Sequence, residues 1–259
     1  MSFFNFLNSG KQDCYTNMAT DEWLLRRSEG LFVRLYGWQP AAVSVGYGQN
    51  PAQELNLEKL TADGIDVVRR LTGGRAVLHA EELTYSVCGD IGGIFGTTLA
   101  QTYEIIASAL RSSLLNLKIP VELEKGGSSD MRVKNGVSLP CFASTSRWEI
   151  TLEGRKLVGS AQRREKNRFL QHGSILLSGK NRLISYLKLS GEAQIAYAET
   201  LETEAVSLEE AGYSFSETGA QYAFCQGFEE VLNIKSENIQ LDSSGEDFSR
   251  LRKAYIFHS

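Results

Sequence analysis

With 259 residues, 42% of them hydrophobic and 22% charged, the chain has globular composition and enough length to bury a sizeable core, as one large α/β domain or one domain with a small appendage. Its net charge of −4 and pI near 5.6 argue against a general nucleic-acid binder, which needs clustered Lys and Arg against phosphate. No apolar run approaches the roughly 18 residues of a membrane span, and the amino terminus lacks a charged region followed by an apolar one, so a cytoplasmic protein is expected.

Taken in chain order, Phe3 to Leu7 reads as a short strand and Asn8-Ser9-Gly10 as a turn. Asn17 is placed to cap a helix over Met18 to Ser28, whose apolar face is Met18, Trp23, Leu24 and Leu25, with Asp21 and Glu22 near its positive end; Gly30 stops it. Leu31 to Tyr36 and Ala42 to Tyr47 read as strands around the turn Gly37-Trp38-Gln39-Pro40, and Gly46 to Gln49 as a loop. A short helix over Leu57 to Ala62 ends at Gly64. The strand Ile65 to Arg70 then delivers a glycine turn, Gly73-Gly74, from which the AVLH stretch ending at His79 leaves as a second strand; Leu83 to Val87 follows. Thr97 to Leu117 repeats apolar residues at helical spacing, Leu99, Tyr103, Ile106, Leu110 and Leu114, and is expected to cover the core. Gly126 to Asn135 is a polar loop. Trp148 to Leu152 and Lys156 to Arg163 form a hairpin around Glu153-Gly154-Arg155, and Phe169 to Leu177 is another strand. Helix returns after Asn181, across Thr218 to Leu232 and across Glu246 to Tyr255. A catalytic unit over 1–200 with a helical extension over 201–259 packed on it is expected, the boundary falling within Glu199 to Glu217.

Four places carry chemistry. Glycine alone reaches positive φ without a clash, so Gly73-Gly74 lets the backbone approach a ligand and aim N–H groups at an oxyanion, with Arg69 and Arg70 adding positive charge; an ordinary hairpin turn has the same look. Cys141, in Leu139-Pro140-Cys141-Phe142, is a nucleophile only where a base or positive charge favours its thiolate, and is otherwise a small hydrophobe. Cys14, Cys88 and Cys225 complete an irregular set without a CxxC pair, so free thiols and no metal site are expected. Lys156 opens a strand whose next positions are small, Gly159, Ser160 and Ala161, so that its ammonium reaches across the sheet or lies solvated at the hairpin. His172, in Gln171-His172-Gly173-Ser174, is a base or a buried structural histidine.

These stretches occur together in one order: SGKQDCYTNMATDEWLL from Ser9, RRLTGGRAVLHAEELTYSV from Arg69, CFASTSRWEI from Cys141, GRKLVGSAQRR from Gly154 and LQHGSILL from Leu170. From Ser9 to Leu177 the chain resembles the lipoate-protein ligase and octanoyltransferase family. The resemblance implies an α/β (α+β) fold, a mixed β-sheet with flanking helices of the biotin and lipoate ligase type, and modification of one lysine of a lipoyl-domain protein such as glycine-cleavage H protein. It implies an acyl tunnel beside the RR-TGG turn and the GRK-GSAQ hairpin. Catalytic Cys141 and Lys156 are then served by Arg69, Arg70, Thr72, Gly73, Gly74, Arg75, His79, Gly159, Ser160, Ala161 and His172, with Tyr36, Tyr47, Val77 and Ala161 as tunnel wall.

Within that family the sequence looks most like the branch that takes octanoyl from acyl carrier protein through a cysteine thioester. Cys141 stands at the matching position, Arg75 replaces the third glycine usual in ligases, and Ala80 replaces their aspartate. No cofactor is then required, and a monomer is expected. The alternatives are an ATP- and Mg-dependent lipoate ligase, an amidotransferase between lipoyl domains, and a non-catalytic carrier-binding protein.

Overall fold

The computed structural model describes residues 3–125, 148–179 and 182–257. The chain opens with β1 (Phe3–Gln12), α1 (Cys14–Arg26), β2 (Phe32–Trp38) and β3 (Ala42–Val45), then the short helices α2 (Pro51–Glu54) and α3 (Leu57–Ala62). Three strands follow, β4 (Asp66–Arg69), β5 (Val77–His79) and β6 (Glu82–Asp90), before the long helix α4 (Leu99–Asn116). Beyond it lie β7 (Glu122–Lys125), β8 (Trp148–Leu152), β9 (Arg155–Lys156), β10 (Val158–Glu165) and β11 (Arg168–Leu176), then α5 (Gly191–Glu204), α6 (Glu217–Leu232), β12 (Lys235–Asn238) and α7 (Glu246–Phe257). Among the described residues no helix is long and apolar enough to cross a membrane.

The main sheet has six strands in the order β10-β11-β6-β2-β1-β12, parallel at β12-β1-β2 and antiparallel elsewhere. Alternation along its strands gives two faces of opposite character. Val33, Leu35, Tyr85, Val87, Phe169 and Ile175 point into the large apolar core with Ile106 and Leu110 of α4 and Phe224 and Phe228 of α6. The other set is polar although buried: Arg34 and Tyr36 on β2, Glu82, Thr84 and Ser86 on β6, His172 and Ser174 on β11. Register places Arg34 and His172 on either side of Ser86, and Tyr36 and Ser174 on either side of Thr84. Helix α1 packs its Met18, Leu24 and Leu25 on this side, and the small sheet β4-β3-β5 adds Ala42 and Val68.

Several local expectations change. The helix α1 begins four residues before Met18 because Asp13 caps it, accepting the Thr16 N–H at 2.9 Å. Asn17 lies buried inside the helix and donates to the Gly37 carbonyl at 2.9 Å. Asn8-Ser9-Gly10 does not turn the chain; β1 runs through it, slipping register between Asn8 and Lys11 with Gly10 at φ +60°. The strands before and after Gly73-Gly74 are not a hairpin, because β3 lies between them. The strand expected over Lys156 to Arg163 divides at Leu157, whose side chain is fully buried in the core: Arg155–Lys156 pairs with β8 and Val158–Glu165 with β11. Helix α4 matches closely, its start fixed by the reciprocal capping bonds of Thr98 and Gln101.

Residues beyond 201 join the same body. Helix α6 lies against α4 so closely that a Cβ on Gly227 would fall 2.4 Å from the Ser113 nitrogen. Strand β12 extends the sheet beside β1, and α7 packs on α1, where Tyr255 donates to Glu22 at 2.6 Å.

Candidate active site

A cavity with about 350 Å³ of empty space lies on the polar face of the main sheet. Its apolar walls are Met18, Tyr36, Trp38, Val77 and Ala161; its polar ones include Ser44, Arg70, His79, Thr84, His172 and Ser174. Stretches far apart in the chain meet here because β5, β6, β10 and β11 all present alternate residues to one space.

Two buried carboxylates organise the polar walls. Asp21 accepts from Arg34 at 2.8 Å, Ser86 at 2.9 Å, Tyr36 at 3.1 Å and His172 Nδ1 at 2.9 Å. Since Nδ1 must carry hydrogen to donate to a carboxylate, neutral His172 accepts at Nε2 from the Thr72 hydroxyl, 2.6 Å away. Burial alone would raise the Asp21 pKa, but the His172 hydrogen bond and the Arg34 charge hold it below the usual carboxylate range. The His172 pKa is lowered as well: burial pushes it down, reinforced by Arg70 and His79 and opposed by Asp21.

Glu82 plays the equivalent part for His79. Its Oε1 accepts from His79 Nδ1 at 2.6 Å, Thr84 at 2.5 Å and Ser174 at 2.9 Å. His79 Nε2 then accepts from Ser44, whose oxygen accepts from Arg70 at 3.0 Å. Trp38 stacks on the His79 ring, centroids 3.9 Å apart, and its indole N–H donates to Thr84 at 2.7 Å. Both nitrogens of each histidine are therefore engaged, which fits positioning better than proton abstraction at His172.

The glycine loop is held from below. Arg70 donates to the Gly73 and Arg75 carbonyls at 2.8 and 2.7 Å, and Arg69 to those of Gly46, Tyr47 and Gln49. Arg70 thus fixes the backbone at this turn, and Arg69 that of the loop 46–49. Gly74 adopts φ +89°, and a Cβ on Gly46 would fall 2.0 Å from the Gly74 oxygen, so the two loops touch through bare backbone. Neither the Gly73 nor the Gly74 N–H has an acceptor among the described residues, and both glycines are exposed. A Cβ on Gly74 would lie 4.0 Å from the Ala161 Cβ, which places this turn beside the cavity wall.

Of the residues singled out from the sequence, Arg70, His79, Gly159, Ser160, Ala161 and His172 line the cavity, as do Tyr36 and Val77. Thr72, Gly73 and Gly74 border it through His172 and Ala161. Tyr47 is not in the wall: it is 59% exposed, under the Arg163 guanidinium. Arg75 turns to Glu54, 3.3 Å away. Lys156 is neither solvated nor in the cavity lining; only 6% exposed, it pairs with Glu149 at 3.0 Å. Cys141 lies outside the described residues, as does the loop 126–135. Asp21, Trp38, Ser44, Glu82 and Thr84 were not anticipated as site residues; the polar alternation of β2 and β6 is the signal that carries most of them.

A nucleotide and its metal fit these residues poorly. The side chain at position 75 is an arginine paired with Glu54 of α2, Ala80 offers no carboxylate, and the neighbouring Glu82 is committed to His79. No step is derived through them.

Residues 13–215 match the lipoyl protein ligase A/B catalytic domain. Octanoyltransferase LipM of Moorella thermoacetica is 42% identical over 201 residues, covering 73% of this chain and 71% of that protein. The Bacillus subtilis octanoyltransferase LipM is 35% identical over 255 residues, covering 95% and 92%. Among solved structures, a putative lipoate protein ligase from Thermoplasma acidophilum with bound lipoic acid aligns with a TM-score of 0.73 at 21% identity, over 98% of this chain and 94% of that one. A lipoate-protein ligase A bound with ATP aligns at 0.74 and 22%, with the same coverage. The fold is that of the lipoate-protein ligases.

Proposed function

Because the chain belongs to the lipoyl protein ligase A/B catalytic domain family and is an acyltransferase, we propose that it transfers octanoyl from octanoyl-acyl carrier protein to a lysine of a lipoyl-domain protein through a thioester on Cys141, in lipoate biosynthesis. The carrying observation is that one cavity is lined by Arg70 of the RR-TGG stretch and by Gly159, Ser160 and Ala161 of the GRK-GSAQ stretch, with the Gly73 and Gly74 N–H groups, which have no acceptor among the described residues, beside it.

In the first step the Cys141 thiolate attacks the donor's thioester carbonyl. The carbon–sulfur bond to phosphopantetheine breaks, and that thiolate leaves and takes up a proton. In the second step the acceptor lysine's neutral amine attacks the enzyme thioester, the carbon–sulfur bond breaks, the Cys141 sulfur departs, and the proton lost from nitrogen passes to that sulfur as the amide forms. The Gly73 and Gly74 N–H groups hold the oxyanion in both steps; a donor so placed contributes about 3–4 kcal/mol in other enzymes. Lys156, which pairs with Glu149 at 3.0 Å, is assigned the orienting of the carbonyl or the relay of protons. Exchange of a thioester for an amide is downhill, so no nucleotide is needed.

The other cysteines support this assignment. Burial pushes the Cys14 and Cys88 thiols up to about 12 and raises Cys225, which disfavours thiolate at each. The test offers a lipoyl domain and either octanoyl-acyl carrier protein without nucleotide or lipoate with ATP and Mg. Octanoylation with the first donor alone is expected. Modification only with lipoate and ATP would make the protein a ligase, and preference for an octanoylated lipoyl domain as donor would make it an amidotransferase.

A further inference from the structure

A second, partly open cavity adjoins the first. Ala76, Leu176, Leu183, Tyr197 and Leu201 give it an apolar side, while Glu81, Ser178, Arg182 and the hydrogen-bonded Glu82 stand on its polar side. Among the described residues, Val77 alone lines both cavities.

The walls of the first cavity differ in what stands behind them. Ser44, His79, Thr84, Ser174 and His172 are cross-linked by the hydrogen bonds of Glu82 and Asp21, so a lengthening chain that displaced them would leave buried polar groups unpaired. Trp38 is held by its own indole bond and by stacking. Val77 is an uncharged side chain that bonds to nothing and has empty space beyond it. Close-packed walls resist an added methylene because the atoms behind them cannot move aside. A wall one side chain thick resists only through that side chain.

We infer that Val77 is the specificity-determining residue for acyl length, a partition closing the chain site off from an extension whose apolar side is able to hold further methylenes. The inference rests on the first cavity being the acyl site.

The experiment measures kcat/KM for hexanoyl-, octanoyl-, decanoyl- and dodecanoyl-acyl carrier protein with a lipoyl-domain acceptor, by mass of the acylated product. Val77→Ala is expected to raise the decanoyl-to-octanoyl ratio about 10-fold or more, the range a single methylene commands in an apolar pocket. Adding Ala80→Leu, which refills the second cavity, is expected to return the ratio toward the wild-type value. Val77→Ile thickens the partition and is expected to raise the hexanoyl-to-octanoyl ratio; it carries the test if Val77→Ala shows no cooperative melt. Unchanged ratios in folded variants, with octanoyl transfer intact in the wild type, overturn the role of Val77 alone. A wild type that transfers no acyl group overturns the function and this inference together.

Discussion

At the scale of single residues, the histidines stood out in the sequence, and the acids that orient them did not. His79 and His172 sit in motifs, whereas Asp21 read as a helix-dipole partner and Glu82 was not singled out. Each acid acquires its role only when another element closes over it: Asp21 meets β2, β6 and β11 from a helix, and Glu82 collects donors from β5, β6 and β11. Spacing along the chain cannot carry that information. A consequence is a pH-dependent stability with a defined direction. His172 has a folded pKa below its ordinary value, so as pH falls below about 6.5 the unfolded chain takes up a proton that the native state refuses. Stability contributed above that pH is therefore lost on acidification. Asp21, whose pKa is also depressed, contributes stability that is present above about pH 4 and lost below it. Thermal melts of the wild type are expected to fall between pH 6.5 and 5, and His172→Gln is expected to flatten that slope; an unaltered slope would remove His172 as its origin.

At the scale of elements, legibility followed locality. Helix α3 was read to the residue, and α4 to within two residues at its start and one at its end, because what fixes them, the Asn56 and Thr98 caps and the helical apolar spacing of α4, lies in or next to the segment. The glycine turn was visible, but its partner was not. Gly46 and Gly74 are 28 positions apart, yet the Gly74 oxygen occupies the space a Gly46 side chain would need, because β3 inserts between β4 and β5 and carries Gly46 beneath the turn. Gly46→Ala is expected to destabilise the protein by about 1–3 kcal/mol through overpacking against rigid backbone, and to lower acyl transfer by displacing the Gly73 and Gly74 N–H groups. A melt and a transfer rate equal to the wild type would show that the two loops are not in contact. The split of the strand after Lys156 has the same character: one buried residue, Leu157, lets two sheets share a continuous stretch of chain.

At the scale of the whole molecule, the fold works as a two-sided sheet, with a hydrocarbon core on one face and a hydrogen-bonded cavity on the other. The alternation that produces both faces was present in the strands as ELTYS, RLYGW and HGS, and was unused until topology set them side by side. The chain beyond 215, outside the matched family domain, still supplies the core side chains Phe224 and Phe228 and a parallel edge strand. What this architecture is proposed to serve is a transient acyl group on sulfur. The most direct measurement is the intact mass of the protein after incubation with octanoyl-acyl carrier protein, with neither nucleotide nor acceptor. One octanoyl adduct, absent from Cys141→Ser and discharged by a lipoyl domain, is the expected result. An adduct that survives Cys141→Ser, or acceptor octanoylation by that variant at the wild-type rate, would contradict the thioester route.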